Sequence, residues 1–406
     1  MNTHPDQSDF STPAHQWLTF SFYAFLATVP WSLSIMQMTL VSTTLAAAWQ
    51  LWRTGRFRFN PLYGFMAAFW ALRLLSALFA PRPMSSVISV FQNDWVMLTV
   101  PLLAGIRLSE EQWRRALRVF MVSLGLVAIY GIVQFFAGME YFRGKHLAAY
   151  GNHFRATGGF NFYLTYAGNQ MMGFAVLLSA FLGSLKNKKP ELPYLISGIL
   201  VLLSIVATFS RSTWLALVVV IAVITLMLDR RWFGWGLISL IAAGTVAAFV
   251  SPEIMERITS IWDPAKNAPR LNLWHTGWNM VKANPWLGIG PGEFNRVFEI
   301  YKHPGYYDAG GHAHNDMLNL AANSGIPAML AWLGMWGFLI FSAFKGYRNP
   351  QNSAYQRTII RGMVAAVAGI LLAGFFQCYY TDLENNIFWW AMVVWGVNML
   401  PKESGQ

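Results

Sequence analysis

The sequence predicts an all-α fold: a polytopic transmembrane helical bundle of about 12 spans, with one large outer loop that contains short helices. Three observations predict it. Hydrophobic residues make up 55% of the 406 residues and charged residues only 12%, whereas a soluble domain carries roughly 25% charged residues. Apolar segments of spanning length recur along the chain. Basic residues gather in alternate short loops between them. Aromatics reach 16%, with 19 Trp, which suits rings anchored at lipid headgroups. The formal net charge of +11 would suggest nucleic acid in a soluble protein. Here membrane topology accounts for it, so membrane lipids are expected partners and nucleic acid is not. The single cysteine, Cys378, excludes an internal disulfide framework.

The apolar segments lie near 17–32, 34–52, 62–80, 87–106, 114–137, 160–184, 193–209, 212–228, 233–250, 326–344, 360–379 and 385–400. Each is close to the roughly 17–25 residues that cross the hydrocarbon core. One alternate set of loops holds Arg53, Arg56 and Arg58, then Arg107, Arg114, Arg115 and Arg118, then Lys186, Lys188 and Lys189, then Arg230 and Arg231, then Lys345, Arg348, Arg357 and Arg361. By the positive-inside rule these loops are cytoplasmic. Both termini then lie in the cytoplasm, as an N-terminal tail over 1–16 and a C-terminal tail over 401–406. The N-terminal tail has no positive n-region leading to a cleavage site, so it does not read as a signal peptide. The remaining blocks are a first set of spans over 17–250, a large outer loop over 251–323 and a second set of spans over 324–400. The short outer loops hold few basic residues, Arg82 and Arg211 excepted.

Polar residues in unusual places mark candidate chemistry. Arg211 follows Phe209-Ser210 and opens the eighth span. A border arginine ordinarily snorkels to headgroups. This one is fixed in depth by a nearly absent loop, on the face where the positive-inside rule disfavours it. Arg73 lies inside the third span, and Asn93 and Asp94 inside the fourth. A buried Arg73–Asp94 pair is the economical structural reading, and a direct substrate role is the rival. The outer loop over 138–159 carries Arg143, Lys145, His146, His153 and Arg155. This cluster fits anionic headgroups or a specific polyanion such as a pyrophosphate. Arg155 precedes Ala156-Thr157-Gly158-Gly159, where the backbone permits close approach, so it is favoured over Arg143 as a ligand contact.

The large loop has three pieces. In Ala268-Pro269-Arg270-Leu271-Asn272-Leu273-Trp274, Pro269 is expected to start a helix reaching about Ala283. Arg270 then falls in its first turn, at an anion-binding end. A solvated surface arginine is the plain alternative. The turn-rich stretch from Asn284 to Gly292 reads as structural, ending that helix and packing Trp286. In Gly311-His312-Ala313-His314-Asn315-Asp316-Met317-Leu318, a short helix is expected to start and to end at Ser324-Gly325, with Pro327 opening the next span. His314 then stands at or just before a helix N-terminus, where the dipole disfavours the imidazolium. A neutral, proton-accepting histidine suits a general base. The alternatives are a capping or core histidine, or a metal site built from His312 and His314 with His275 or His303, for which no matching carboxylate or cysteine set is visible. Asp382-x-Glu384 reads as loop surface.

These pieces resemble the bacterial O-antigen ligases, in the superfamily that also holds O-antigen polymerases and bacterial protein O-oligosaccharyltransferases. The resemblance rests on Phe209-Ser210-Arg211-Ser212 opening a span, Pro269-Arg270-Leu271-Asn272-Leu273-Trp274, the Asn284-to-Phe294 turn, and His312-Ala313-His314-Asn315-Asp316-Met317-Leu318 followed by Gly325. It covers about 155 to 330 in detail. The resemblance implies a GT-C-like membrane glycosyltransferase of the bacterial inner membrane, with its active site facing the periplasm. The donor it implies is a glycan on undecaprenyl pyrophosphate, and the acceptor a sugar hydroxyl of lipid A–core. No cofactor is implied: neither metal, nucleotide sugar nor ATP. By position, His314 matches the family's essential histidine, and Arg211 and Arg270 its essential arginines. Arg155 matches a more loosely shared arginine. His312, Asn315, Arg143 and Lys145 are expected to contact substrate.

The chemistry suits these residues. A glycosyl pyrophosphate already carries its leaving group, so the protein must deprotonate an acceptor hydroxyl and hold the departing charge. His314 suits the first task, and Arg211 with Arg270 the second. In-line attack predicts inversion. Two alternatives stay open. A polymerase would use a second lipid-linked glycan as acceptor. A transporter or flippase, a different class, would show internal repeats and ionisable residues near the midplane; one such pair is visible and no repeat. An oligosaccharyltransferase is disfavoured because the sequence stops just past its last apolar segment.

Overall fold

The computed structural model describes residues 12–55, 57–307 and 311–401. Most of both expected tails, and Arg56, lie outside them. Every apolar segment of the sequence is a helix: α1 (Pro13–Thr28), α2 (Leu33–Thr54), α3 (Leu62–Leu78), α4 (Pro83–Leu103), α5 (Glu110–Ala137), α6 (Tyr163–Lys186), α7 (Leu192–Val206), α8 (Arg211–Leu228) and α9 (Arg230–Val250), and later α13 (Asp316–Arg348), α14 (Ala354–Ala373) and α15 (Leu383–Met399). Between α9 and α13 come α10 (Pro252–Thr259), α11 (Pro264–Ala283) and α12 (Phe294–Tyr301). Among the described residues, α4, α5, α6, α8, α13 and α14 are long and apolar enough to cross a membrane, and α3 and α7 are shorter apolar helices. The chain is therefore an all-helical protein with six candidate membrane spans.

The helix starts are written locally. Ser109 caps α5 and Ser353 caps α14, each in a reciprocal box with the glutamine three residues on. Gly55 and Gly138 close α2 and α5 in the left-handed region. The 138–159 loop is a small exception to the all-α expectation. It folds into two hairpins, β1 (Met139–Glu140) with β2 (Lys145–His146), and β3 (Ala149–Tyr150) with β4 (His153–Phe154). Gly144 and Gly151 turn them at positive φ.

In the most apolar stretches of α6 and α14, 78% and 72% of residues are buried in protein, against 33% in α13. Those two helices therefore form the centre, with α8, α13 and α15 packed against α14. A helix buried all round needs its polar groups matched. Arg361 of α14 accordingly donates to the Ser179 carbonyl at 2.6 Å and to its hydroxyl at 3.0 Å on α6. In the expected topology Arg361 stands with the loop cations. The Ser353 cap starts α14 at Ala354 and draws Arg361 into the helix. The expected Arg73–Asp94 pair is present between α3 and α4, completely buried, with the Tyr380 hydroxyl on both partners.

Five expectations need correction. The helix assigned to Pro269 starts at Pro264, because Asp263 accepts from the Ala265 N–H at 2.9 Å and Pro264 takes the first position. Pro269 is accommodated inside α11, so Arg270 sits in the second turn rather than the first. The segment from Asp316 to Arg348 runs on as one element, kinked at Gly325 (φ 85°, ψ 164°). The apolar stretch ending at 379 stops as a helix at Ala373, and 374–382 is a non-helical link. Asp382 is not loop surface: it caps α15 and accepts from the Thr165 hydroxyl at 2.5 Å. Trp286 is likewise not packed. Its side chain is 76% exposed, and its turn is held by backbone bonds instead.

Those backbone bonds fix the 284–292 turn to α13. Ile289 N–H donates to Ala322 O, Gly290 N–H to Asn323 O and Ile326 N–H to Pro285 O, at 2.8–3.0 Å. The turn thereby seals the kink in α13, whose carbonyl ladder is broken at Gly325. A Cβ on Gly325 would lie 2.1 Å from the Trp286 carbonyl oxygen. Only glycine allows that approach at this φ.

Candidate functional site

Two groups of residues hold most of the expected site side chains. The first is cationic. Arg211 is the first residue of α8, and its guanidinium donates to the Ser260 carbonyl at 2.6 Å and the Ser260 hydroxyl at 3.2 Å. The preceding turn is strained: Phe209 is buried at φ 53°, a left-handed conformation costly for an aromatic residue. Its carbonyl accepts from Arg257 Nε at 2.8 Å. Arg257 belongs to α10 and lies over the Tyr150 ring at 5.4 Å, with Arg155 over the same ring at 5.0 Å. Arg155 also sits 4.5 Å from the Tyr163 ring centre. The charges of Arg270 and Arg155 both act on Arg211. Burial, then Arg155 and Arg211, hold the Arg257 guanidinium below its ordinary range.

Four arginines from separate segments thus share one neighbourhood. Among the described residues, Arg155, Arg211 and Arg257 make no ion pair with a carboxylate. Their neighbours are carbonyls, hydroxyls and aromatic faces. Like charges held together without a counterion favour a multivalent anion. A cavity of about 220 Å³ adjoins the cluster, lined by Arg155, Tyr163, Arg143, Lys145 and His146. Arg143 is already committed: its Nε donates to Glu140 at 2.9 Å, and its other nitrogens reach the Phe160 carbonyl and Asn161. Lys145 lies exposed on β2. The structure brings Arg155, Arg211 and Arg270 together and leaves Arg143 and Lys145 on the cavity rim.

The second group surrounds His314. Asn315, the N-cap of α13, accepts from the Leu318 N–H at 3.0 Å. Asn315 therefore shapes the helix end. His314 precedes it at φ 48°, again left-handed without being glycine. The strain is held by bonds on both sides. Asp316 N–H donates to Gly374 O at 2.7 Å, and Tyr380 N–H donates to Asp316 Oδ1 at 3.0 Å. These bonds tie the α13 start to the 374–382 link, which presents Gln377 to His314 Nδ1. With the Gln377 Oε1 as acceptor, Nδ1 carries the proton and Nε2 the lone pair. His314 N–H in turn donates to His312 Nδ1 at 3.2 Å, and the two rings lie 4.2 Å apart. Burial, then the neighbouring His314, lowers the His312 pKa to about 4. His312 is thus neutral near pH 7, as its acceptor role requires. Among the described residues no cluster of His, Cys, Asp and Glu has the makings of a metal site.

Helix α11 joins the two groups. Arg270 and Trp274 are four residues apart, hence on one face. Trp274 Nε1 points at the His314 carbonyl at 3.5 Å, a long contact, and its ring lies 6.3 Å from Phe376. Gln377, Arg257 and Tyr150 escaped the sequence reading. Gln377 lies within the apolar segment 360–379, and nothing in the sequence around Arg257 marks it for the site. For Tyr150 the sequence offered no signal.

The family model described as O-antigen ligase matches residues 196–333. That stretch holds Arg211, Arg257, Arg270, His312 and His314; Arg155 and Gln377 lie outside it. The chain is also similar to the teichuronic acid biosynthesis protein TuaE of Bacillus subtilis (strain 168). The two are 27% identical over 139 residues, which is 34% of this chain. The match spans 28% of the length of that relative. Over residues 196–333, about a third of its length, this chain is thus similar to the O-antigen ligase family.

Proposed function

We propose that this protein is an inner-membrane O-antigen ligase. It transfers a glycan from undecaprenyl pyrophosphate to a sugar hydroxyl of lipid A–core, at a site facing the periplasm, through about 12 spans with both termini cytoplasmic. The observation that carries the reading is an arginine cluster, without carboxylate partners at Arg155 and Arg211, connected through helix α11 to a histidine whose Nδ1 faces Gln377. Guanidinium forks match pyrophosphate oxygens. An imidazole with its proton fixed on Nδ1 offers Nε2 to a hydroxyl.

In the step proposed, Nε2 of His314 takes the proton as the acceptor oxygen attacks the anomeric carbon. The new carbon–oxygen bond forms as the bond from that carbon to the pyrophosphate oxygen breaks. Undecaprenyl pyrophosphate leaves with the electron pair, and Arg211, Arg270 and Arg155 stabilise its charge. Attack opposite the leaving group inverts the anomeric centre. The arginines supply the charge that a metal ion would otherwise supply, so the step needs no cofactor.

The similarity to a protein named for teichuronic acid biosynthesis favours a second reading, in which the acceptor is another lipid-linked glycan and the product a longer polymer. A competition experiment separates the two. The purified chain in nanodiscs is offered lipid A–core and lipid-linked repeat units separately with one labelled donor. Label on lipid A–core is the expected result; label only on the lipid-linked glycan makes the protein a polymerase.

A further inference from the structure

A second cavity, of about 170 Å³, opens beside the histidine pair and shares no lining residue with the arginine cavity. Its polar lining is of a different kind: Ser89 and Asn93 from α4, Asn319 and Asn323 from α13, Thr381, and His312. No carboxylate and no lysine lines it. Arg73 does, but Asp94 and Tyr380 already balance its charge. Phe294 and Leu320 add apolar faces.

Two residues of this lining each carry a buried polar atom without a partner. Arg73 is 2% exposed and Asn323 is 7% exposed, yet neither Arg73 Nε nor Asn323 Oδ1 has a hydrogen-bond partner among the described residues. A buried donor and a buried acceptor left unmatched are destabilising and favour polar company close by. The volume is several times the roughly 30 Å³ share of one liquid water, the scale of a single sugar ring. Neutral amides and hydroxyls around a donor and an acceptor recognise hydroxyls rather than phosphate.

We infer that this cavity is the subsite for the acceptor sugar, holding a neutral, hydroxyl-rich ring so that one hydroxyl reaches His314. The assignment rests on His314 being the base of a glycosyl transfer. It divides the labour: the arginine cavity takes the anionic donor head, and the amide cavity takes the uncharged acceptor. His312 ties the amide cavity to the proposed base, since it lines that cavity and accepts from the His314 backbone N–H.

The test uses the full chain in nanodiscs, with undecaprenyl-pyrophosphate-linked glycan as donor and lipid A–core as acceptor. Asn93 is half-buried, so Asn93→Leu removes a hydroxyl partner at little risk to the fold. Its acceptor KM should rise about tenfold, the effect of one lost hydrogen bond to a sugar hydroxyl. Donor KM, kcat at saturating acceptor and thermal stabilisation by undecaprenyl pyrophosphate should stay near wild type. Ser89→Ala should raise acceptor KM in the same direction, and it decides the matter if Asn93→Leu fails to fold. An unchanged acceptor KM in a folded variant, or a rise in donor KM instead, overturns the assignment. Full activity in His314→Ala would overturn the underlying reading. Unchanged acceptor KM alongside an inactive His314→Ala would overturn this subsite alone.

Discussion

Gln377 stands opposite Nδ1 of His314, on a link that the α13 start holds through the Asp316–Gly374 and Tyr380–Asp316 bonds. The partner on one ring nitrogen sets what the other can do. Gln377→Leu should lower kcat at least ~10-fold with little change in thermal stability, because the ring loses its tautomer and its aim. Gln377→Glu should move the acid limb of the kcat profile to higher pH. A carboxylate there favours the imidazolium and raises the His314 pKa, so the neutral base is lost earlier on acidification. A profile identical to wild type in both variants would remove Gln377 from the site.

The arginine cluster predicts a chemical difference between two cations. Arg211→Lys keeps the charge but not the fork that reaches Ser260 and its surroundings. Turnover should fall ~10²-fold or more, the scale of a lost charge clamp. Wild-type turnover in steady-state assays of Arg211→Lys would leave only a generic positive charge.

The buried Arg73–Asp94 pair predicts a stability asymmetry. Asp94→Leu alone strands a buried guanidinium and should cost about 3–5 kcal/mol, read as a large loss of Tm in detergent. Adding Arg73→Met should recover much of that loss. A double variant less stable than the single one would contradict the pairing.

His312 predicts a pH dependence. Its pKa of about 4 lies below the ordinary histidine range, so between roughly pH 6.5 and its own pKa the unfolded chain takes up a proton that the folded protein refuses. That contribution to stability is present above this window and is lost as pH falls through it. His312→Gln keeps an acceptor for the His314 N–H but removes the titration. Its Tm should fall less than wild type's between pH 7 and pH 5; an equal fall would show that His312 is not held neutral.

The helices were legible because apolar length and capping residues are local properties. Ser109, Ser353 and the apolar runs declare α5 and α14 without tertiary knowledge. Arg211 and His314 stand out in the sequence, since a cation opening an apolar span and a histidine before a capping asparagine are both oddities of local sequence. The start of α11 differs from the expected one because the chain holds two prolines able to open the helix, and Asp263-Pro264 supplies a cap that Pro269 lacks. Gln377 was hidden by its apolar neighbours, Phe375, Phe376 and Cys378, which hid the end of α14. Arg257 and Tyr150 reach the site only through tertiary placement, over hairpins too short to carry an alternation signal.

The central claim is that His314 and the arginines carry out a glycosyl transfer. The direct measurement is product formation by the purified full chain from undecaprenyl-pyrophosphate-linked glycan and lipid A–core, with chelator and without nucleotide. The account predicts glycosylated lipid A–core from wild type and at least ~10²-fold less from His314→Ala. Undiminished product from His314→Ala, or activity that chelator abolishes and a divalent metal restores, would contradict it.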